Sequence, residues 1–408
     1  MTTLTCAIQL GSSRIMAIAA MKDMQSGALS NIQIESEPAR DCISHGCITN
    51  VEQTAMHLRS LIQKLGNRMR ATITSAYVGV GGLSLHSLLQ QPTIQIPDYD
   101  VLSSEPAQGN LSQLIIGQKR IRQRIQAAMD RASIHLIDLI ALPRATSLIL
   151  TSEERQAGCL LVDMGAATTT VAIYQEGELR HLAVLPLGGD SVTYDIQSAC
   201  SGYDEAERIK VEWSDVSSEV QKASDVHASD RFADQALPMP QSQLCHIALC
   251  RYEEIAANVQ HQIEVAGFKG KLSTCILTGG ASLQRGLTSL MRRRLSIARI
   301  ETRAYRERAM LGSERKPHLT NTLALLTFCQ QGCQAPVVRP TAATPSGAKA
   351  SGNAAPASDQ PAPAADKAAP AADGQLDLNL PAEDYVPESH PLRDGFIRFA
   401  KDLFSGQK

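Results

Sequence analysis

The sequence predicts an α/β protein of at least two lobes, and three stretches carry that prediction. Thr5 to Ala20 (TCAIQLGSSRIMAIAA) reads as strand, Gly11-Ser12-Ser13, strand. Ala157 to Asp190 begins with an apolar run that ends in Asp163. A small tip from Gly165 to Thr170 follows, then the alternating strand Val171-Ala172-Ile173-Tyr174, a tight turn at Gln175–Glu178 and a third strand to Pro186. Cys275 to Leu287 (CILTGGASLQRGL) is a buried strand, a Gly279-Gly280 break and a helix start. Alternation at period two marks half-buried strands, and Gly-containing links between such runs mark hairpins. Tips built from Gly, Ala, Ser and Thr let backbone N–H groups approach a phosphate, and the hydroxyls add donors. Asp163, at the base of the second tip, is placed to hold Mg²⁺ or to orient a water.

Bulk properties narrow the function class. The chain has 408 residues, 43% of them hydrophobic, enough to bury the cores of two or more lobes. A formal net charge of −2 implies no basic face, so nucleic acid is not an expected partner. Ten cysteines are scattered, several inside apolar patterns where Cys behaves as a small hydrophobe, which fits a reducing compartment. Neither Cys245/Cys250 nor Cys329/Cys333 has CxxC spacing, so neither pair predicts a zinc site. No signal peptide and no run of 18 apolar residues is seen.

Two hairpins with phosphate-type tips followed by strand–Gly-Gly–helix resemble the actin-like ATPase superfamily. Within it the chain is similar to the FtsA family of bacterial cell-division proteins over about residues 4–330 and 392–405. The resemblance implies a two-lobed fold that duplicates a ribonuclease H-like motif, with an inserted subdomain called 1C, a disordered linker and a C-terminal amphipathic helix. It implies residues 1–70 as the first lobe (1A), 71–140 as the 1C-like insertion and 141–156 as the return. It further implies 157–200 and 244–316 as the second lobe (2A), 201–243 as a 2B-like subdomain, and 317–335 as a final helix back to the first lobe. ATP with Mg²⁺ is expected between the lobes. Gly11, Ser12 and Ser13 would hold one side of the phosphates and Gly165, Ala166, Ala167 and Thr168 the other. Glu207 and Lys210 match the family's AExIK segment beside ribose and adenine, and Gly279, Gly280 and Ala281 would border the adenine. The chain departs from the family at Gln9, where an acidic residue is usual, and at Thr170. Glutamine can hydrogen-bond a water but brings no charge to a metal and is no base. ATP binding with slow hydrolysis at best is the expectation.

Taken in order, residues 4–40 predict three strands, and Asn50 caps an amphipathic helix over residues 51–65. Residues 71–140 predict a strand to Val80, a short strand Thr93–Ile96, a polar loop from Pro97 to Asn110, and a helix Leu114–Ala132. That helix presents Lys119, Arg120, Arg122 and Arg124 as a solvated basic face. Compared with the family, this insertion is expected to lack a strand pair. Helices are predicted at Ser191–Ala199, Tyr203–Val211, Leu244–Val265 and Asn321–Cys329. Arg292-Arg293-Arg294 lies where the family presents a surface to the FtsZ C-terminal peptide. Residues 336–391 are Ala/Pro-rich and aperiodic, and predict a disordered linker. Beyond it, Leu392, Phe396, Phe399, Ala400, Leu403 and Phe404 share one helical face, widened by Ile397. With no core behind the linker, such a face suits a membrane interface. The resemblance also implies self-assembly into filaments, membrane lipids and other divisome proteins as partners, and the cytoplasmic face of the bacterial inner membrane at the division site. Two other readings stay open: a PilM-like adaptor of a pilus or secretion assembly, and a sugar-kinase-like enzyme. The first needs no terminal amphipathic helix; the second needs a catalytic Asp that Gln9 does not supply.

Overall fold

The computed structural model describes residues 1–90, 98–106, 112–217, 237–305 and 316–334. Two five-stranded sheets organise it, and they share one topology. In the first lobe, β1 (Thr2–Leu10), β2 (Arg14–Asp23) and β3 (Leu29–Pro38) form an antiparallel meander. Next, β6 (Ser75–Val80) adds parallel to β1, and β10 (His135–Ala141) adds parallel to β6, for an order β10-β6-β1-β2-β3. The second lobe repeats this with β11 (Cys159–Met164), β12 (Thr169–Gln175), β13 (Glu178–Leu185), β14 (Thr274–Thr278) and β15 (Arg299–Thr302), ordered β13-β12-β11-β14-β15. In both, the first three strands are antiparallel and the last two run parallel to the first.

The parallel additions require crossovers, which helices supply. Helix α1 (Val51–Met69) carries the chain from β3 towards β6. Asn50 accepts from Gln53 N at 3.0 Å, which satisfies a first-turn amide. Its stripe of Val51, Ala55, Leu58, Leu61, Ile62 and Leu65 is buried against the sheet. Truncating Leu58 to Ala there would cost about 2–5 kcal/mol in lost transfer and cavity energy. Between β6 and β10 lies an inserted three-stranded sheet of β7 (His86–Gln90), β8 (Tyr99–Pro106) and β9 (Ser112–Gln118), in the order β7-β9-β8, with β4 (Ile43–Ser44) and β5 (Cys47–Ile48) forming a two-stranded hairpin earlier in the chain. Helix α2 (Lys119–Arg131) follows β9.

The insertion corrects three expectations. Residues 71–140 are not one separable unit, because β6 is a central strand of the first sheet and β10 its edge. Tyr99–Pro106 is a strand and not a polar loop: β9 pairs with it, so its backbone is satisfied although its sequence is polar. The helix starts at Lys119, five residues later than expected, since Ser112–Gln118 is the buried middle strand. The basic face of α2 is also divided. Lys119 and Arg120 are exposed, whereas Arg124 is buried and donates to Ile48 O, and Arg122 pairs with Asp100 at 2.8 Å. The short strand expected at Thr93–Ile96 falls outside the described residues.

After β10, α3 (Leu142–Thr146) and α4 (Ser152–Ala157) lead to the second lobe. Its crossover is longer: α5 (Gly189–Gln197), α6 (Tyr203–Trp213) and α7 (Gln241–Val265) precede β14, and α8 (Leu287–Leu295) precedes β15. Within residues 201–243, the described part is helical and contributes no strand. The last helix, α9 (Thr320–Phe328), returns to the first lobe, where Leu323, Leu325 and Leu326 pack with Ile18, Tyr77 and Leu142. Lys22, buried on β2, donates to Leu326 O, Thr327 O and Cys329 O at 2.8–2.9 Å, and so caps the carboxyl end of α9 with a positive charge. No described helix is long and apolar enough to cross a membrane. The expected linker at 336–391 and the terminal helix at 392–408, with Leu392, Phe396, Ile397, Phe399, Ala400, Leu403 and Phe404, lie outside the described residues.

Candidate functional site

The duplicated topology points two equivalent hairpin tips at one another. Pairing of β1 with β2 ends at Leu10↔Ile15, and Gly11 N closes the tip on Arg14 O at 3.1 Å. Pairing of β11 with β12 ends at Met164↔Thr169, and Gly165 N closes the tip on Thr168 O at 2.8 Å. Gln9, opposite Met16, and Asp163, opposite Thr170, therefore occupy the same station in the two halves. Between the tips lies a cleft of about 740 Å³.

Every residue expected to touch nucleotide lines this one cleft. From the first tip come Gly11, Ser12 and Ser13, and from the second Gly165, Ala166, Ala167 and Thr168. Gln9 and Asp163 form its floor, Glu207 and Lys210 one wall, and Gly279, Gly280 and Ala281 another. Neighbouring segments brace both tips. Gly46 N donates to Ser12 Oγ at 3.1 Å and Ala39 N to Ser13 O at 3.1 Å. Gly189 N and Asp190 N, at the start of α5, donate to Gly165 O and Ala166 O at 3.0 and 2.8 Å. The Gly-Gly break passes over Asp163. At Gly279 φ is 83°, and an added Cβ would stand 2.4 Å from Met164 O and 2.5 Å from Asp163 Oδ1, so only glycine fits.

The floor is held by residues far away in sequence. Asn321, in the first turn of α9, donates to Asp163 Oδ2 at 2.7 Å and accepts from Thr146 Oγ1. Its neighbour Thr322 donates to Gln9 Oε1. Thr278 Oγ1 reaches Thr320 Oγ1 at 3.0 Å. One polar turn, Thr320-Asn321-Thr322, thus ties the central residues of both hairpins to the final helix. Burial raises the Asp163 carboxyl above its ordinary range, and the Asn321 amide pulls the other way.

Lys210 is buried and already committed. It donates to Gly189 O at 3.1 Å, Thr193 Oγ1 at 2.9 Å and Glu207 Oε2 at 2.6 Å, which uses its three hydrogens. Its contribution to the cleft is to hold Glu207 and the α5 start in place. Burial alone would raise the Glu207 carboxyl, but the Lys210 ammonium and the Thr193 hydroxyl outweigh it and hold it below the ordinary range. At the mouth, Arg40 of the first lobe lies over the Tyr203 ring of the second, 3.6 Å from its centroid, and Tyr203 Oη donates to Asp190 Oδ1 at 2.5 Å. Such a stack is worth about 0.5–1 kcal/mol at an exposed site.

The sequence alone assigns no site role to Arg40, Tyr203, Asn321 or Thr322. For the last two a signal exists: polar Thr320-Asn321-Thr322 opens an otherwise apolar helix, LALLTF. These residues suit a nucleotide: small tips, a glycine cradle and an acid–base pair on one wall. Mg²⁺ keeps several waters and takes one or two carboxylates plus phosphate oxygens. Asp163 offers a carboxylate at the base of the second tip, and Asp190 lines the same cleft beside Ser12 and Ala167, so they would hold the metal together with the nucleotide's own oxygens.

A sequence model described as "Cell division protein FtsA" matches residues 160–324. The FtsA of Porphyromonas gingivalis (strain ATCC BAA-308 / W83) is 28% identical over 329 residues, 69% of this chain and 68% of that protein. The FtsA of Pseudomonas aeruginosa is 24% identical over 330 residues, 69% of this chain and 79% of that protein. Among solved structures, the PilM-PilN type IV pilus biogenesis complex superposes with a TM-score of 0.60 at 15% identity, over 80% of this chain and 98% of that one. MreB5 of Spiroplasma citri bound to ADP gives 0.50 at 12% identity, over 80% and 96%. At such identities the structures speak to the actin-like fold, and the sequence matches to a similarity with FtsA proteins. Together with the duplicated sheets and the shared cleft, they show an actin-like fold whose sequence is similar to FtsA cell-division proteins.

Proposed function

We propose that this chain is an ATP-binding adaptor that polymerises and anchors the FtsZ ring to the cytoplasmic face of the membrane. The observation that carries the reading is the convergence of both hairpin tips, Asp163, Glu207 and the Gly279-Gly280 break on one cleft. Nucleotide acts as a clamp between the lobes. Backbone and hydroxyl groups of residues 11–13 and 165–168 hold phosphates, while Glu207 and Gly279–Ala281 flank ribose and base. Gln9 lacks the charge and basicity to activate water, so the bound nucleotide turns over slowly at best.

The sequence of residues 392–404 supports the anchoring half of the reading. Burying three Phe and three aliphatics in an interface stabilises binding by several kcal/mol at about 25 cal/mol per Å² before ordering costs. One copy binds weakly, and assembly multiplies the effect. Co-sedimentation with anionic vesicles, with and without residues 392–408 and with and without ATP, tests this. Sedimentation that needs the segment and rises with ATP supports the adaptor. Equal sedimentation with and without the segment removes its anchoring role, and no sedimentation of either chain favours the PilM-like alternative.

A further inference from the structure

We propose that Asp41, Cys42 and His57 form a zinc-type divalent-metal site on the first lobe, separate from the nucleotide cleft. A carboxylate oxygen, a thiol sulfur and an imidazole nitrogen there lie within 4.8 Å of one another. They come from two elements. Asp41 and Cys42 sit in the turn after β3, and His57 is in the second turn of α1. The turn is fixed by its backbone: Cys42 N donates to Ala39 O at 3.0 Å, while Cys42 O accepts from Thr49 N at 2.8 Å and Asn50 N at 3.3 Å. His57 Nε2 stands 3.7 Å from Asp41 Oδ2, and the Gln53 side-chain amide is 3.4 Å from the same nitrogen.

The donor chemistry selects the metal. Zn²⁺ takes Cys sulfur, His nitrogen and Asp oxygen in a tetrahedron, whereas Mg²⁺ and Ca²⁺ require oxygen sets. One thiolate and one carboxylate neutralise a divalent ion. Binding releases the Cys42 proton to solvent, and the fourth position is left for water or for the Gln53 amide oxygen. Cys42 is fully buried and Asp41 is exposed, so the ion enters from the Asp41 side. Occupancy pins residues 39–46 to α1, and this same segment braces Ser12 and Ser13.

Co²⁺ is the probe, added to the full chain purified reduced and metal-free. The expected result is one equivalent of Co²⁺ showing a thiolate-to-cobalt charge-transfer band that Zn²⁺ displaces. Asp41→Asn, Cys42→Ser and His57→Ala should each weaken binding by at least ~10-fold. Cys250, exposed and 3.7 Å from His246, is the rival thiol–imidazole pair, and Cys250→Ser should leave the band unchanged. If Cys42→Ser does not fold, the surface change Asp41→Asn and His57→Ala still decide. No band at saturating Co²⁺, or a band that vanishes in Cys250→Ser and survives in Asp41→Asn and His57→Ala, overturns the proposal.

Discussion

Replacing Asn321 with alanine separates the final helix from the cleft floor, and the structure sets the size of the effect. Asn321 donates to Asp163 Oδ2 at 2.7 Å, a bond to a charged acceptor worth about 1.5–3 kcal/mol. Its second bond, from Thr146 Oγ1, contributes little to the difference, because Thr146 also has Leu142 O as an acceptor at 2.8 Å. Asn321→Ala should therefore lose about 1.5–3 kcal/mol at neutral pH without nucleotide. In an Asp163→Asn background the same change removes only a neutral pair, about 0.5–1.5 kcal/mol. Urea unfolding of the four variants, read at constant m-value, closes this double-mutant cycle. Equal costs of Asn321→Ala in both backgrounds would mean that the amide does not hold the Asp163 carboxylate, and the account of the floor would fail.

Further outcomes follow from the same geometry. Burial raises the Asp163 pKa in the folded chain, so its ionisation costs native stability; that cost is full above the folded pKa and gone below the unfolded one. Asp163→Asn should accordingly raise Tm at neutral pH and lose the advantage in acid; a gain that is independent of pH contradicts the burial argument. Arg303 grips the buried Glu154 carboxylate with two bonds of 2.7 Å, and Arg303→Ala should cost towards the low end of about 3–5 kcal/mol, since Arg299 remains 3.5 Å away. The Arg303 guanidinium, the largest cause, lowers the Glu154 pKa, so the gap between wild type and variant should be full above the ordinary Glu range and close as pH falls through the depressed value. Gln9→Asp should speed ATP turnover above that of the wild type, and equal turnover would reject the assigned role of Gln9.

The parts legible in the sequence were those with local rules. Both hairpins join apolar strand runs through a Gly-containing tip, and α1 announces itself through Asn50 and its apolar stripe. The strand at Tyr99–Pro106 was hidden because an edge strand with polar side chains has no periodicity to read; its partner Ser112–Gln118 supplies the hydrogen bonds from elsewhere. Residues of the site followed the same division. Tip residues could be named in advance because their chemistry sits in contiguous segments. The bonds from Asn321 to Asp163 and from Thr322 to Gln9 span 158 and 313 residues, and only the return of α9 to the first lobe brings them together. Asp41, Cys42 and His57 were invisible for a related reason: no metal-type spacing relates a turn to the second turn of the next helix.

Calorimetric titration of the full chain with ATP, beside the Ala167→Glu variant, is the decisive measurement. Ala167 is at the tip of the second hairpin, and a carboxylate there would face the phosphates across the cleft. One ATP per chain for the wild type, with binding at least ~10-fold weaker in the variant, corresponding to a loss of about 1.4 kcal/mol or more, is the predicted result. Equal affinity of the two, or no binding by folded wild-type chain, would contradict a nucleotide held between the hairpins.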